Sequence, residues 1–393
     1  MKIVADENIL PIKKKLARDI DWIVKPGRDI CADDVRDADA LLVRSVTRVD
    51  ESLLSGSSVK FVGTATSGTD HLDMAWLRAH GIAVADAAGC NANAVAEYVL
   101  AVLAQLILDD NIPLWQMTVA VIGVGHVGTT LVRKLRALGV RCVGCDPLQQ
   151  LLPDLEYVDL PQALQADVIC LHTPLLMQGP MSTWHMIASR ELAQLKKEAI
   201  LINAGRGEVI DNTALLAHLQ RRPEQRVILD VWANEPRPSA ELMKRVYIAT
   251  PHIAGYSVEA KVNASMAVTR ELAQFFKLDE LRLQLGAGGP LRVHDQRFEG
   301  EPDSRLRREK NEARMFAGIV HRALDLKALS QRFDDIYQVA SRSDNPMDGA
   351  EVFDSIRKEM LLRREFGATH VHAAGFSPQL SVWLHAAGFV LQA

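Results

Sequence analysis

The residues Thr118-Val119-Ala120-Val121-Ile122, followed by Gly123-Val124-Gly125-His126-Val127-Gly128, decide the fold of this chain. The five apolar or β-branched residues predict a buried parallel strand, and the three glycines fit the G-x-G-x-x-G turn that opens a helix. Such glycines provide a tight bend, a close approach of the backbone to a pyrophosphate, and close packing of helix on strand. A helix predicted at residues 129–138 would present its positive end and free N–H groups to the phosphates.

The preferred dinucleotide follows from a carboxylate downstream of the glycines. An apolar run at residues 140–145 ends in Asp146, about 20 residues past the glycines, where a carboxylate can accept hydrogen bonds from the adenosine ribose. Pro147 follows it in place of an arginine, so the 2′-phosphate of NADP would meet a bare negative charge. The sequence therefore predicts NAD as the cofactor.

Length and composition indicate a globular protein with more than one domain. The chain has 393 residues, of which 48% are hydrophobic and 24% are charged, and it is too long for a single core. Its net charge of −4 gives no reason to expect nucleic-acid or membrane binding. The sequence contains no run of about 18 uninterrupted apolar residues, so no membrane span is predicted. The N-terminus is predicted to be a strand rather than a signal peptide.

The five cysteines fit a reducing, cytoplasmic environment because their number is odd in a large chain. Cys142 and Cys145 form a C-x-x-C pattern, which could indicate a redox or metal site. In a strand, however, residues three apart point to opposite faces. We therefore expect core cysteines and no metal site.

Short strands alternate with helices along most of the chain, which predicts open parallel sheets. Strands are predicted at residues 1–7, 38–43, 59–62, 82–85, 167–172, 199–203, 226–229 and 247–250. A long helix at residues 91–108 would carry the chain from a first domain into a second. Ligands of such sheets bind outside the carboxyl ends of the strands, so the polar residues that follow each strand are candidate site residues.

Ser45 and Thr66 follow two strands of the first domain. Their hydroxyls could hold a polar anion, and the backbone of Gly68 could approach it. Equally, these could be turn residues that satisfy their own backbone. Taken alone, the segments leave both interpretations open.

Three residues that follow strands of the second domain could carry hydride-transfer chemistry. His252 is a natural base for a hydroxyl proton, because its unperturbed pKa of about 6.5 lies near working pH. Glu235 could raise the pKa of that imidazole and fix its tautomer, and Arg206 could grip a carboxylate with two parallel hydrogen bonds. Each residue alone has a plain structural interpretation, but their shared placement after strands of one sheet favours catalysis.

Four separated motifs resemble those of the D-isomer-specific 2-hydroxyacid dehydrogenases: residues 123–128, 203–207, 230–236 and 250–256. The resemblance covers roughly residues 1–285. It implies NAD-dependent oxidation of a 2-hydroxy acid, with Arg206, Glu235 and His252 catalytic and His252 as proton donor and acceptor. It implies substrate contacts from Ser45, Thr66 and Tyr256. It implies NAD contacts from Gly123, Gly125, His126, Val127, Gly128, Asp146, Thr173, Ala204, Arg206, Asp230 and Gly255.

A narrower match within this family rests on residues 43–47, 61–71, 89–92 and 252–256 and on a C-terminal extension. It implies a small phosphorylated 2-hydroxy acid as substrate. It also implies two doubly wound, Rossmann-like α/β domains and a C-terminal α+β domain that forms a homodimer. The boundaries would be 1–93 with 257–285 for the substrate-binding lid, 94–256 for the NAD domain, and 286–393 for dimerisation.

The C-terminal segment shows no chemistry of its own beyond that resemblance. Residues 286–290 predict a linker, and the charge run at 305–310 predicts a solvated helix face rather than a phosphate site. Helices are predicted at 313–329, 350–366 and 378–386, and a strand at 369–372. Two other functions stay open: a sister dehydrogenase acting on 3-phosphoglycerate, hydroxypyruvate or another 2-hydroxy acid, and an NAD-sensing binding protein like the corepressors of this superfamily.

Overall fold

The computed structural model describes residues 1–9, 20–149, 152–278, 311–340 and 348–392. The chain divides into two compact units. The first contains Met1–Asn91 and the helix Val258–Phe275, and the second contains Ala92–Tyr256 and the described residues from 311 onward. The predicted linker at 286–290 and the charge run at 305–310 lie outside the described residues.

The described strands and helices have the following bounds. The strands are β1 Lys2–Asp6, β2 Asp21–Lys25, β3 Ala40–Val43, β4 Phe61–Thr64, β5 Ala83–Ala85, β6 Thr118–Ile122, β7 Arg141–Cys145, β8 Glu156–Tyr157, β9 Val168–Leu171, β10 Ile200–Asn203, β11 Arg226–Leu229, β12 Ile248–Ala249, β13 His370–His372 and β14 Val390–Gln392. The α-helices are α1 Ala32–Val35, α2 Glu51–Leu54, α3 Met74–Ala79, α4 Ala92–Asp110, α5 His126–Ala137, α6 Leu160–Ala163, α7 Ser189–Gln194, α8 Asn212–Arg221, α9 Ala240–Met243, α10 Val258–Phe275, α11 Glu312–Ala323, α12 Leu326–Ala340, α13 Gly349–Glu359 and α14 Pro378–Ala387. Short 3-10 turns lie at Gly27–Asp29, Leu114–Gln116, Gly207–Val209, Met360–Leu362 and Phe366–Ala368.

The first unit is built on a parallel sheet in the order β2-β1-β3-β4-β5. Every residue of β3 and β4 is buried, as expected where helices cover both faces of a parallel sheet. Leu42 packs on the face that α10 covers with Val268, whereas Leu41 packs on the opposite face with Leu77 of α3. The alternation of side chains along each strand thus produces two apolar layers.

The second unit is built on a seven-stranded parallel sheet in the order β12-β11-β10-β9-β6-β7-β8. The chain begins the sheet at β6, adds β7 and β8 on one side, and then returns to place β9 on the other side. The reversal point therefore lies between β6 and β9, where open α/β sheets bind ligands. The predicted class of two parallel-sheet α/β domains is confirmed, and Cys142 and Cys145 pack in opposite apolar layers as predicted.

Helix α4 forms the centre of one apolar layer of the second unit. It is long and apolar enough to cross a membrane, but 83% of its most apolar 18-residue segment is buried inside the protein. Its residues from Val95 to Ile107 pack with β6 and with Phe316 of α11. A core position accounts for the apolar composition of this helix.

Several predicted element boundaries are wrong, for physical reasons that the structure shows. Helix α5 begins at His126 rather than at residue 129, so it starts directly after Gly125. The helix predicted at 313–329 is two helices, because the Asp325 side chain accepts from the Ala328 N–H at 2.9 Å and starts α12. The helix predicted at 350–366 ends at Glu359, since Arg363 turns inward to bind carbonyl groups of the core.

A buried charged cluster joins the C-terminal residues to helix α4. Glu97 is 0% exposed, and its carboxylate accepts from the Phe366 N–H at 2.9 Å and lies 3.9 Å from the Arg363 guanidinium. Arg363 also donates to the Ala94 and Ala254 carbonyls, at 2.9 and 3.0 Å. Burial, and then the neighbouring Glu365, raise the pKa of Glu97 to about 7, although Arg363 opposes the shift. The cluster therefore holds α4, the loop at Ala254 and the C-terminal residues together.

Replacing Arg363 by alanine should strongly destabilise the second unit. The change leaves the buried Glu97 without its neighbouring guanidinium and two carbonyls without donors, and breaking a buried pair in this way costs about 3–5 kcal/mol. Thermal and urea unfolding would measure the loss. Arg332→Ala is the matched control, because Arg332 pairs with Glu359 on the surface, where such pairs contribute little. Equal stability of the two variants would contradict this role for the cluster.

Candidate active site

The glycine turn after β6 has the geometry that a dinucleotide requires. Gly123 has φ +87°, and a Cβ there would lie 2.8 Å from backbone atoms of His172 and Thr173. A Cβ on Gly128 would lie 2.1 Å from the Gly123 carbonyl oxygen, so helix α5 can pack this closely only without a side chain. Gly125 differs, because a Cβ there would meet nothing within 4 Å. The space outside Gly125 is therefore open, as the approach of a pyrophosphate requires.

The residues around this turn offer donors and acceptors to a dinucleotide. His126 and Val127 form the first turn of α5 together with Gly128, so their backbone N–H groups lie at the positive end of the helix. The Thr173 hydroxyl, after β9, is buried and has no hydrogen-bond partner in the described parts of the chain. Asp146 accepts from the Val124 N–H at 2.8 Å and from the Leu148 N–H at 3.0 Å. Oδ1 of Asp146 also accepts from the Gln149 N–H at 2.9 Å, whereas, among the described residues, Oδ2 accepts from Val124 alone and keeps a further lone pair for a ribose hydroxyl.

Asp230, predicted as an NAD contact, has a structural role at the end of β11. Its carboxylate is fully buried and accepts from the Thr250 hydroxyl at 2.7 Å, the Ile253 N–H at 2.8 Å and the Ala254 N–H at 2.9 Å. Burial raises the pKa of Asp230, while the charge of His252 and these hydrogen bonds oppose the shift. Asp230 thereby fixes the loop on both sides of His252.

The His252–Glu235 pair is the centre of the candidate site. Nδ1 of His252 lies 2.7 Å from Oε2 of Glu235, and Oε1 of Glu235 accepts from the Trp232 N–H at 2.9 Å. This hydrogen bond orients the imidazole and leaves Nε2 for proton exchange. The His252 side chain remains 35% exposed.

The two members of this pair shift each other's pKa in opposite directions. Burial acts to lower the pKa of His252, but the charge and hydrogen bond of Glu235 outweigh it and raise that pKa above its usual value. Burial acts to raise the pKa of Glu235, but the charge and hydrogen bond of His252 lower it. The pair therefore favours an anionic Glu235 beside a histidine of raised basicity.

The backbone at the pair adopts a conformation that side-chain-bearing residues rarely adopt. His252 has φ +54° and Asn234, next to Glu235, has φ +63°. The His252 N–H donates to the Asp230 carbonyl at 2.6 Å, and the Trp232 indole donates to the Thr250 carbonyl at 2.9 Å. Left-handed backbone at such residues costs free energy and is found where surrounding contacts enforce it.

Arg206 follows β10, next to the strand that carries Asp230. Asn203, at the end of β10, donates to the Arg206 carbonyl at 2.9 Å and accepts from the Gly205 N–H at 3.1 Å. The half-buried guanidinium of Arg206 donates to the Gly205 carbonyl at 2.9 Å. A Cβ on Gly205 would lie 3.1 Å from the Thr173 carbonyl oxygen, so this turn packs against the residues after β9, with Ala204 half-buried beside it.

The predicted residues of the first unit lie after two neighbouring strands. Ser45 is exposed after β3, and Thr66 is half-buried after β4. The Thr66 hydroxyl donates to the Gly68 carbonyl at 2.8 Å and contacts the Thr64 hydroxyl at 2.8 Å. Thr66 thus satisfies its own turn, which is the alternative that the sequence left open. The predicted substrate roles of Ser45 and Thr66 remain predictions.

Several residues that shape the site were not found from the sequence. Because the Thr250 hydroxyl donates its proton to Asp230, the Tyr98 hydroxyl donates to Thr250, at 2.7 Å. Arg363 donates to the Ala254 carbonyl, and the Arg357 guanidinium carbon lies 5.2 Å from the ring centre of Tyr256. Tyr98 and Arg363 are distant from the loop in sequence, so no local pattern could reveal these contacts. Gly255, predicted as an NAD contact, lies between Ala254, which binds Arg363, and Tyr256, which packs against Arg357.

A concave surface with a volume of about 760 Å³ lies in the C-terminal residues, away from this site. It is lined by residues of α11 and α12 and by the segment from Met360 to Val371. None of the predicted site residues lines it. We place the chemistry at His252 and Glu235 because the hydrogen-bonded titratable pair is there, not because of the size of a cavity.

Comparison with known proteins shows similarity along the whole chain. Residues 109–254 match the family model described as D-isomer specific 2-hydroxyacid dehydrogenase, NAD binding domain. The erythronate-4-phosphate dehydrogenase of Marinobacter nauticus is 42% identical over 100% of both chains. That of Teredinibacter turnerae is 50% identical over 70% of this chain and 74% of its own. The crystal structure of a D-lactate dehydrogenase from Aquifex aeolicus, complexed with NAD and lactic acid, aligns with a TM-score of 0.61. It is 22% identical and covers 71% of this chain and 97% of its own, so it shows the fold alone.

Two glycine substitutions should separate cofactor binding from folding. Gly125→Ala adds a methyl group into open space, so thermal stability should stay close to wild type while the affinity for NAD falls roughly tenfold or more. Gly128→Ala should lower both, because its methyl group would collide with the Gly123 carbonyl. Differential scanning fluorimetry and an NADH fluorescence titration would measure the two effects. Wild-type NAD affinity in Gly125→Ala would argue against this placement of the pyrophosphate.

Removing the charge of Glu235 should move the pH dependence of turnover. The base predicted at His252 must be neutral to accept a hydroxyl proton, so kcat/KM should fall as the pH drops below the pKa of His252, which Glu235 raises. In Glu235→Gln that pKa falls, so the acid limb of the profile should move to lower pH while kcat decreases. Steady-state kinetics between pH 5 and 9, with Glu259→Gln as a control, would test this. An acid limb at the same pH in Glu235→Gln as in wild type would show that Glu235 does not raise the pKa of the catalytic base.

Proposed function

The chain belongs to the D-isomer-specific 2-hydroxyacid dehydrogenase family, in the branch of the erythronate-4-phosphate dehydrogenases, and we propose that it oxidises 4-phospho-D-erythronate to (R)-3-hydroxy-2-oxo-4-phosphobutanoate. The end-to-end match to the Marinobacter nauticus relative carries this proposal. The family resemblance and the NAD cofactor predicted from the sequence are confirmed. The reaction belongs to pyridoxal 5′-phosphate (vitamin B6) biosynthesis.

The residues of the second unit suit the binding of NAD. The open side of Gly125, the N–H groups at the start of α5 and the Thr173 hydroxyl lie along the reversal point of the sheet. That hydroxyl has no hydrogen-bond partner among the residues whose structure is described. Asp146 excludes a 2′-phosphate by its charge. Bound NAD supplies the acceptor for the hydride that leaves C2 of the substrate.

The His252–Glu235 pair performs the proton transfer of this reaction. Nε2 of His252 accepts the proton of the 2-hydroxyl as the hydride leaves C2, so the alcohol becomes a ketone. The anionic Glu235 stabilises the imidazolium that forms, through the hydrogen bond at 2.7 Å. Arg206 binds the substrate carboxylate and polarises C2 with its charge. Ser45, Thr66 and Tyr256 complete the substrate contacts in this proposal.

We further propose that the protein is a cytoplasmic homodimer with the three-domain layout predicted from the sequence. The lid comprises residues 1–93 and 257–285, the NAD domain residues 94–256, and the dimerisation domain residues 286–393. The concave surface on α11 and α12 and the 77% exposed Leu362 support an interface in the C-terminal residues. Analytical ultracentrifugation of wild type and Leu362→Glu would test it, with a monomeric wild type as the contradicting result.

Replacing the proposed base should abolish turnover without abolishing cofactor binding. His252→Asn removes the proton acceptor, and we expect kcat to fall by about 10²-fold or more. NADH fluorescence titration should give a wild-type affinity for the cofactor. His80→Asn is a control, because His80 is exposed on the first unit. Near-normal turnover in His252→Asn would contradict the assignment of His252 as the proton acceptor.

The substrate is tested by NADH formation at 340 nm with 4-phospho-D-erythronate, 3-phosphoglycerate and hydroxy acids that lack phosphate. A 2-oxo acid in parallel assays would recycle any cofactor that stays bound. We expect a preference for 4-phospho-D-erythronate in kcat/KM. Turnover of another acid alone would keep the mechanism and change the substrate, and NAD binding without turnover of any acid would favour the sensor function.

A further inference from the structure

Arg357 of helix α13 brings a positive charge from the C-terminal residues to the candidate site of the second unit. Its guanidinium carbon lies 5.2 Å from the ring centre of Tyr256 and 5.6 Å from that of Phe353. Its charge also acts to lower the pKa of both Glu235 and His252. Arg357 is therefore within electrostatic range of the pair to which the proton transfer is assigned.

The described residues use only part of the hydrogen-bonding capacity of Arg357. Nε is buried and has no partner among the residues that the structure describes. Nη1 makes one long hydrogen bond, 3.4 Å, to Asp354 on the preceding turn. The side chain is 20% exposed. A guanidinium carries five N–H donors in a planar fork that matches a carboxylate or a phosphate.

We propose that Arg357 binds the 4-phosphate of the substrate, an inference that rests on the proposed function. The substrate carries an anion at each end, and Arg206 is assigned to the carboxylate next to the reacting C2. A second cation is needed for the phosphate, and Arg357 is a cation packed against Tyr256, four residues after His252 in the chain. The two aromatic rings hold its guanidinium in place, which reduces the entropy lost when it binds an anion.

A purely structural role explains these contacts less well. The hydrogen bond to Asp354 is long, and packing against Tyr256 and Phe353 would not require a buried N–H without an acceptor. An unsatisfied buried donor costs free energy, and an incoming phosphate oxygen would satisfy it. The neighbouring Lys358 is exposed and carries the same charge, so it offers a matched control.

The test compares substrates with and without the phosphate. In Arg357→Ala, kcat/KM for 4-phospho-D-erythronate should fall roughly 10- to 100-fold, mainly through KM, as expected for a lost charge-assisted hydrogen bond. On the alkaline plateau of the pH profile, where His252 is neutral in both proteins, the kcat/KM for D-erythronate should change by no more than about twofold, since that substrate lacks the phosphate. Lys358→Ala should match wild type for both. Arg357→Lys, which keeps the charge and loses the fork, should lie between wild type and Arg357→Ala.

Inorganic phosphate provides a second readout that needs no turnover. Calorimetric titration of phosphate into the NAD-bound protein should show binding to wild type and to Lys358→Ala. In Arg357→Ala the affinity for phosphate should fall by a factor similar to the fall in kcat/KM for 4-phospho-D-erythronate. NADH affinity would verify that each variant is folded. If the alanine variant fails to fold, Arg357→Lys decides in its place by the same two measurements.

Two kinds of failure can be told apart. An equal loss on both substrates, a loss confined to kcat, or unchanged phosphate affinity in Arg357→Ala would overturn the inference and leave the proposed function intact. A wild-type protein that does not oxidise 4-phospho-D-erythronate would overturn the proposed function. The phosphate titration would then still decide whether Arg357 forms an anion site.

Discussion

The buried carboxylate of Asp230 is the interaction on which the candidate site depends. It accepts hydrogen bonds from the Thr250 hydroxyl and from the backbone of Ile253 and Ala254. Three donors compensate a carboxylate that has lost all contact with water, and removing any of them would leave a buried charge poorly satisfied. Because those donors lie on both sides of His252, the requirement to satisfy Asp230 fixes the backbone of the proposed base in its left-handed conformation.

Parallel strand order explains how residues distant in sequence reach this place. Neighbours β9, β10 and β11 end at the same edge of the sheet and are followed by Thr173, Arg206 and Asp230. Glu235 lies further along the same loop after β11 and His252 follows β12, so the hydrogen bond between them joins these two loops. The glycine turn lies at the same edge, after β6. The fold thus gathers a cofactor turn, a cation and a proton-transfer pair from segments that lie far apart in the sequence.

The sequence predicted those features that depend on local patterns. Strands β6 and β11 have the predicted bounds, because apolar runs ending in a turn are unambiguous. Helix α5 began earlier than predicted, since glycine content obscured the first turn. The second role of Asp230 and the contributions of Tyr98, Arg357 and Arg363 could not be predicted, because they depend on the packing of α4 and the C-terminal helices onto the loop. Burial and pKa shifts likewise require the tertiary structure.

In the proposed reaction a hydride passes directly from C2 of a phosphorylated 2-hydroxy acid to NAD, and His252 takes up the proton. The most direct measurement uses 4-phospho-D-erythronate deuterated at C2, with mass spectrometry of the cofactor released by denaturing the protein after turnover. Direct transfer predicts NADH that carries one deuterium from each substrate molecule oxidised. Unlabelled NADH with the deuterium lost to water, or recovery of unchanged NAD and substrate, would contradict it.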